Sequence, residues 1–429
     1  TVYSGYLAAD EAPEEPEAGS LWLDTGGDET ALRQYGEDGW TAVDDVCVRM
    51  NATGIGIGFT AGDGVAVSGC RETALNGSFP LRSVEDDYVV VTALPRSLSS
   101  QSDPVTVERS VPDMDYVVES GNRLWGCKYG IVNGQAVNAI YASKLGDFKN
   151  WNCYAGLSTD SYAASRGSDG AFTGAADYLG NPLFFKENCV ERVYPSASGA
   201  HQIVTVQCAG VKSGSSGSLR VVDGKLYYHS QGGVCVFDGS MPVHVSQALG
   251  EMRYHNAVAG ALDGSYYLSA ADENGAWHLL VLDTRQGLWY REDGVEAVGF
   301  APWGGDLYCL TAAGQLLAMK GSGENREGPV QWLAETGELG LDAPESRYLV
   351  RLSLRLLPEA DSTVRAWVSY DEGGSWQPAG SLCGVGRLRA CTMHVRPRRC
   401  RQLRLRLTGQ GGCRIYSLSA VYEKGSDGP

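Results

Sequence analysis

The sequence predicts an all-β chain: a β-propeller of about five to seven blades, a small inserted β-barrel and a C-terminal β-sandwich. Three observations predict it. First, 56 glycines among 429 residues, with few apolar runs at helical spacing, point to many tight turns. Second, Val222 to Gly239 reads as a hairpin: an Asp-Gly turn, the apolar run Lys225–Ser230, a Gly232-Gly233 corner and Val234–Phe237. Third, the unit recurs. Its leading glycines fall at 121, 180, 224, 264 and 305, in steps of 59, 44, 40 and 41, and steps of about 40–45 residues are the spacing of propeller blades. A single hairpin cannot bury both faces, so such units stack and cover one another. An ordinary sandwich with similar hairpins is the alternative.

Taken in order, residues 1–46 are an acidic arm (Asp10 to Glu17, with Pro13 and Pro16) and a small β-meander carrying Trp22 and Trp40. Residues 47–112 break the blade spacing. Gly62-Asp63-Gly64, Asn76-Gly77 and Asp86-Asp87 set turns between short alternating strands, and we read them as the inserted barrel. Insertions of this sort often carry partner contacts. Residues 113–328 hold the blades, with Gly167 to Gly174 as a flexible connection and Ser213 to Ser218 as a blade-to-blade crossing. The latter lacks the Gly-Lys-Ser/Thr and helix of a phosphate-binding loop. From 329 to 429 the strands lengthen. Val350 to Leu356, Val364 to Tyr370 and Leu403 to Leu407 alternate aliphatic and polar residues, as a half-buried sandwich strand does.

The chain carries 51 acidic against 35 basic residues, a net charge of −16. Such a balance disfavours a general grip on a phosphate backbone, and it suits a surface past which DNA slides. No apolar run reaches the length that crosses a bilayer, so no membrane partner is expected. Twelve cysteines form no Cys-x-x-Cys pair and no zinc spacing. They read as small buried side chains; Cys400 and Cys413 are near enough in sequence to consider as a cross-linked pair, though nothing in the sequence requires it.

Three constellations bear on chemistry. Ser369-x-Asp371-x-Gly373-x-Ser375-Trp376 resembles the Asp-box of sialidases, a structural hairpin motif. The basic run includes Arg396, Arg398, Arg399, Arg404 and Arg406, candidates to face a neighbouring subunit or DNA. Six histidines lie in no triad or metal motif. Carboxylates are plentiful, yet none is placed where a nucleophile or metal needs it. No cofactor and no enzymatic activity are therefore expected.

Val118 to Gly126, Ile140 to Ser143 with Gly146-Asp147 and Asn150-Trp151, Gly180 to Lys186, and Asp283 to Glu292 together resemble bacteriophage virion propellers. The family is that of tail nozzle, or packaged-DNA stabilisation, proteins of short-tailed phages and related prophage virion proteins. The resemblance spans about 115–425. It implies a homo-oligomeric six-fold ring below the portal and adaptor, through which double-stranded DNA passes. It also implies a place in the virion tail, after assembly in the host bacterial cytoplasm, and no catalytic residues. The inserted barrel departs from the simplest family pattern. Two other functions compete. One is a receptor- or glycan-binding tail module using Trp40, Trp151, Trp303 or Trp376; the other, more remote, is a sialidase-like glycoside hydrolase.

Overall fold

The computed structural model describes residues 6–26, 31–43, 47–93, 104–132, 134–250, 253–292, 294–320, 328–340, 347–370, 375–395, 399–400 and 402–424. The chain divides into two units, Thr1–Met319 and Lys320–Pro429.

In the first unit, five antiparallel sheets follow one another, each built in simple strand order. Blade 1 runs from Tyr116–Ser120 to Tyr162–Ser165, and blade 2 from Gly174–Tyr178 to Gln202–Gln207. Blade 3 runs from Arg220–Val222 to Val243–His244, and blade 4 from Tyr254–Leu262 to Leu288–Arg291. Blade 5 comprises Ala297–Trp303, Asp306–Thr311 and Leu316–Ala318, one strand fewer than the others among the described residues.

The leading glycines sit in the two-residue turns between the first and second strand of each blade. Both central residues have positive φ in all five: Gly121 and Asn122, Leu179 and Gly180, Asp223 and Gly224, Asp263 and Gly264, Gly304 and Gly305. That is the type I′ geometry whose twist matches paired strands. The exception in residue type is Leu179, held at φ 53° with its side chain 71% exposed. A branched side chain costs about 1–2 kcal/mol in that region, and Asn tolerates it better. Leu179→Asn should therefore raise stability by about 1 kcal/mol, read as a higher urea midpoint with unchanged slope.

Strand alternation then sends successive side chains of each inner blade to different neighbours. In blade 2, Phe184 packs with Trp125, Cys127, Ile140 and Ala142 of blade 1. Its flanking residues Leu183 and Phe185 pack with Leu226, Tyr228 and Phe237 of blade 3. Tyr227 points the other way, to Tyr266 and Leu268 of blade 4. Tyr267, Leu279 and Val281 of blade 4 in turn cover Leu307 of blade 5. Each fully buried side chain of this size stabilises the stack by roughly 1.5–3 kcal/mol. Tyrosine hydroxyls tie the layers: Tyr178 to the Gly224 carbonyl at 2.8 Å and Tyr266 to the Ser218 carbonyl at 2.8 Å.

The arrangement is radial. The short 3-10 turn Ser216–Ser218, just before blade 3, meets the first strands of three other blades. Ser216 lies beside the Tyr116 side chain of blade 1, and a side chain at Gly174 of blade 2 would meet Leu219 at 2.9 Å. At Gly217 a Cβ would meet Val258 of blade 4 at 3.1 Å. First strands that converge on one turn are the inner strands of a propeller, and the Ser/Gly run fills the point of convergence. The crossing expected there is present.

Residues 47–109 form a five-stranded sheet in the order Cys47–Asn51, Tyr88–Thr92, Gly77–Glu85, Gly64–Ser68, Thr106–Arg109. Its end strands share one core, with Val48, Val65, Val67, Leu81, Val89 and Val91 buried and Val107 against them. The sheet therefore curls around that core. Asp63, 0% exposed, joins it to blade 1. Its carboxylate accepts from Asn150 Nδ2 at 2.6 Å and pairs with Arg109 at 3.3 Å, and Arg109 also pairs with Asp147 at 3.0 Å.

Two details depart from expectation. The strands Leu21–Asp24, Ala31–Gly36 and Gly39–Ala42 form an antiparallel meander, but the segment read as an arm adds a fourth strand, Tyr6–Ala9, parallel to Leu21–Asp24. The stretch from Gly167 to Gly174 is held in place. Lys186, 1% exposed, donates to the Ser168 carbonyl at 2.8 Å and lies 4.5 Å from the Phe172 ring.

The second unit is a sandwich. One sheet pairs Gln331–Glu335, Gln402–Gln410, Thr363–Tyr370 and Gln377–Cys383; the other centres on Arg347–Pro358, flanked by Arg389–His394, Arg399–Cys400 and Cys413–Lys424. Between them lie Leu349, Leu352, Leu354, Leu356, Val364, Val368 and Leu405. Cys400 is opposite Arg347 and Cys413 opposite Pro358. Eleven residues of strand, about 36 Å, separate those positions, too far for the two to cross-link.

Candidate interaction surface

The predicted arginines divide. Arg396 and Arg398 lie outside the described residues, and Arg399 is on the short strand Arg399–Cys400 beside Tyr348. Arg404 and Arg406 share a strand face, as alternation requires. That face is already occupied. Glu335, on the adjacent strand, pairs with Arg404 at 3.3 Å and with Arg406 at 2.9 Å. Both guanidinium groups also lie over the Trp376 ring, at 5.4 and 4.0 Å. Much of the charge of this pair is met within the unit.

The open arginines are others. Leu352, Leu354 and Leu356 point into the sandwich core, so Arg351, Ser353 and Arg355 point out, and both arginines are exposed. Ser353 faces Thr392 on one side and Ser419 on the other. Arg414, also exposed, is opposite Leu357 one strand away. Arg351, Arg355 and Arg414 have no ion pair among the described residues. They are dispersed along the chain, where no local run announces them; only the strand pairing gathers them. Residues 320–429 hold 16 Lys+Arg against 12 Asp+Glu, whereas 1–319 hold 19 against 39. The acidic balance of the chain belongs to its first unit alone.

A second surface is the outer face of blade 5. Leu307 and Cys309 face inward at 0% exposure, while Trp303, Leu310 and Leu316 on the other face are 77%, 43% and 68% exposed. Ala301 and Tyr308 lie among them by register. Of the remaining tryptophans considered for sugar contact, Trp151 is buried, and Trp40 packs against Trp22 and Tyr35.

The titratable groups of the blades are engaged in structure. Asp272 accepts from His278 Nε2 at 3.0 Å, and Arg291 donates to His278 Nδ1 at 3.3 Å. With both ring nitrogens occupied, that imidazole anchors a hairpin and offers no free lone pair. The hydrogen bond from His278 holds the Asp272 carboxyl below the usual range. His229, 2% exposed, sits 3.2 Å from Ser215 Oγ, and burial pushes its pKa down to about 4. In the second unit, a cavity of about 740 Å³ is lined by Trp332, Glu359, Asp361, Ser362 and Ile415, among others. Within the described residues, no three His, Cys, Asp or Glu side chains are grouped to hold a metal.

No family model matches the chain, and no curated protein matches it. Similar solved structures include an exo-β-1,3-galactanase from Phanerochaete chrysosporium, at 9% identity and a TM-score of 0.28, covering 72% of this chain and 97% of that one. A family 43 arabinoxylan arabinofuranohydrolase from Bacillus subtilis is similar at 9% identity and a TM-score of 0.26, covering 72% and 93%. PorZ, a surface component of the type-IX secretion system of Porphyromonas gingivalis, is similar at 12% identity and a TM-score of 0.34, covering 84% and 51%. The expectation that the chain is no enzyme is corrected by this comparison. Glycoside hydrolases recur among the similar structures, so absence of a recognisable motif does not exclude catalysis. At such TM-scores the likenesses assign this chain no activity and no substrate.

Proposed function

We propose that the chain is a structural subunit of a bacteriophage virion that assembles with copies of itself into a ring around the DNA exit channel. The observation that carries this reading is the outer face of blade 5. Every inner blade has both faces covered, yet here Trp303, Leu310 and Leu316 lie open on a sheet with three strands among the described residues. Contiguous apolar surface of this kind marks a contact with another molecule. In a head-to-tail ring each copy covers such a face on the next. The phage context comes from the resemblance of the blade motifs, and the acidic first unit suits DNA that must pass without capture.

Mass spectrometry and electron microscopy of purified virions from the encoding phage or prophage test the reading. The chain should be present in the particle. Particles carrying Trp303→Asp with Leu316→Asp should lack a tail ring and lose packaged DNA. Intact virions devoid of the chain would refute it.

The cavity beside Trp332 favours a second reading, a glycan-binding tail module, since an aromatic ring near carboxylates is a saccharide-type lining. Specific glycan-array binding abolished by Asp361→Asn would establish it in place of the first.

A further inference from the structure

We infer that the outer face of the sandwich sheet built on Arg347–Pro358 is a contact site for the phosphate backbone of duplex DNA. This deepens the virion reading, and rests on it, because DNA is the polyanion that such a subunit meets.

Three observations converge. The first is composition: the basic charge of the chain is gathered in its second unit, and 14 of the 16 basic residues there are Arg. Charge asymmetry between parts of a chain is a mark of nucleic-acid interaction. Guanidinium in place of ammonium suits paired hydrogen bonds to phosphate oxygens.

The second is placement. Arg351 and Arg355 are four residues apart on one strand, about 13 Å, and span about four base-pair steps of one DNA strand. Arg414, on the neighbouring strand, is opposite Leu357, two residues beyond Arg355. Hydroxyls fill the space between them: Ser353 and Thr392, with oxygens 3.4 Å apart, and Ser417 opposite Arg355. Arg, Ser and Thr are the usual donors to phosphate and sugar.

The third is what the face lacks. The centre of a protein-binding patch is normally apolar or aromatic, and the centre here, around Ser353, is polar. With a net chain charge of −16 the attraction is local, acting within a Debye length of about 10 Å. Weak, sequence-independent contact follows, as a subunit past which DNA moves requires.

Fluorescence anisotropy of a labelled 30-base-pair duplex, titrated with the full chain at 50 and 200 mM salt, tests this. Three neutralised phosphates give a log–log salt slope of about −2.7, so affinity should fall about forty-fold between those salts. Arg351→Gln, Arg355→Gln and Arg414→Gln together should abolish binding without changing the circular dichroism spectrum or Tm, since all three side chains are exposed. Arg404→Gln with Arg406→Gln is the control. That pair removes comparable charge from arginines engaged by Glu335, and should leave most binding intact.

The inference is overturned if the wild-type chain does not bind duplex at 50 mM salt, or if the triple variant binds as well as wild type. Equal loss in the control variant, showing only a net-charge effect, also overturns it. So does tighter binding of polyglutamate than of duplex, which would point to an acidic protein. Virion incorporation is scored without DNA binding, so failure of this face and failure of the virion reading are told apart.

Discussion

Arg166→Met should destabilise the first unit by about 3–5 kcal/mol, the range for breaking a buried ion pair by removing one partner. Glu191, on the third strand of blade 2, is 0% exposed. Its carboxylate accepts from Arg166 Nε at 3.1 Å and Nη2 at 2.8 Å, and from Thr205 Oγ1 at 3.0 Å. Arg166 follows the last strand of blade 1, so the pair bolts two blades together. Removing the guanidinium leaves a desolvated charge with one neutral donor. Urea denaturation measures the loss. The double variant Arg166→Met with Glu191→Leu should recover most of it, because the uncompensated charge is then gone. A double variant no more stable than the single one would show that the pair fixes geometry in some further way.

The second large effect is a pH dependence. His229 has its folded pKa pushed down to about 4 by burial, with Lys212 and His255 adding to the effect; an unfolded histidine titrates near 6.5. Between those values the unfolded chain binds the extra proton and the folded chain does not, so stability rises with pH across the window. The contribution is fully present above about pH 6.5 and lost as pH falls towards 4. It amounts to about 3 kcal/mol in all, about 2 of it gone by pH 5. The geometry gives the cause. Ser215 Oγ accepts from the Ala257 amide at 3.1 Å, which leaves its hydroxyl proton for His229 Nδ1. A protonated ring would set two donors against each other inside the convergence of the blades. Urea midpoints at pH 7.5 and 5.0 for wild type and His229→Gln test this, and the pH dependence should be smaller in the variant by that amount. Equal pH dependence in the two proteins would place the titration elsewhere.

Much of the fold was legible because its punctuation is chemical. A two-residue turn with both φ values positive strongly favours Gly, Asn or Asp, and the glycines at 121, 180, 224, 264 and 305 met that preference at one central position of every turn. Alternation in Leu403 to Leu407 likewise put Arg404 and Arg406 on one face. What alternation cannot give is the identity of the neighbour. Nothing in the order Leu183, Phe184, Phe185 says which residue faces blade 1 and which blade 3. Nothing near Arg404 announces Glu335, which lies some seventy residues earlier in the chain and pairs only through strand register. The same limit hid the open face. Arg351, Arg355 and Arg414 come from two strands with a sheet ladder between them, whereas the sequence drew attention to the denser run at 396–406. The parallel start of the N-terminal sheet was also unreadable, since short strands with polar loops carry no signal of direction.

The ring presupposes that the blades of the first unit stack radially about the turn Ser216–Ser218. The most direct test places a photo-crosslinking amino acid at Ser216 and maps the adducts by mass spectrometry. The account predicts crosslinks to the peptides containing Tyr116, Gly174 and Val258, from three different blades. Crosslinks confined to blade 3 and its immediate sequence neighbours would contradict it.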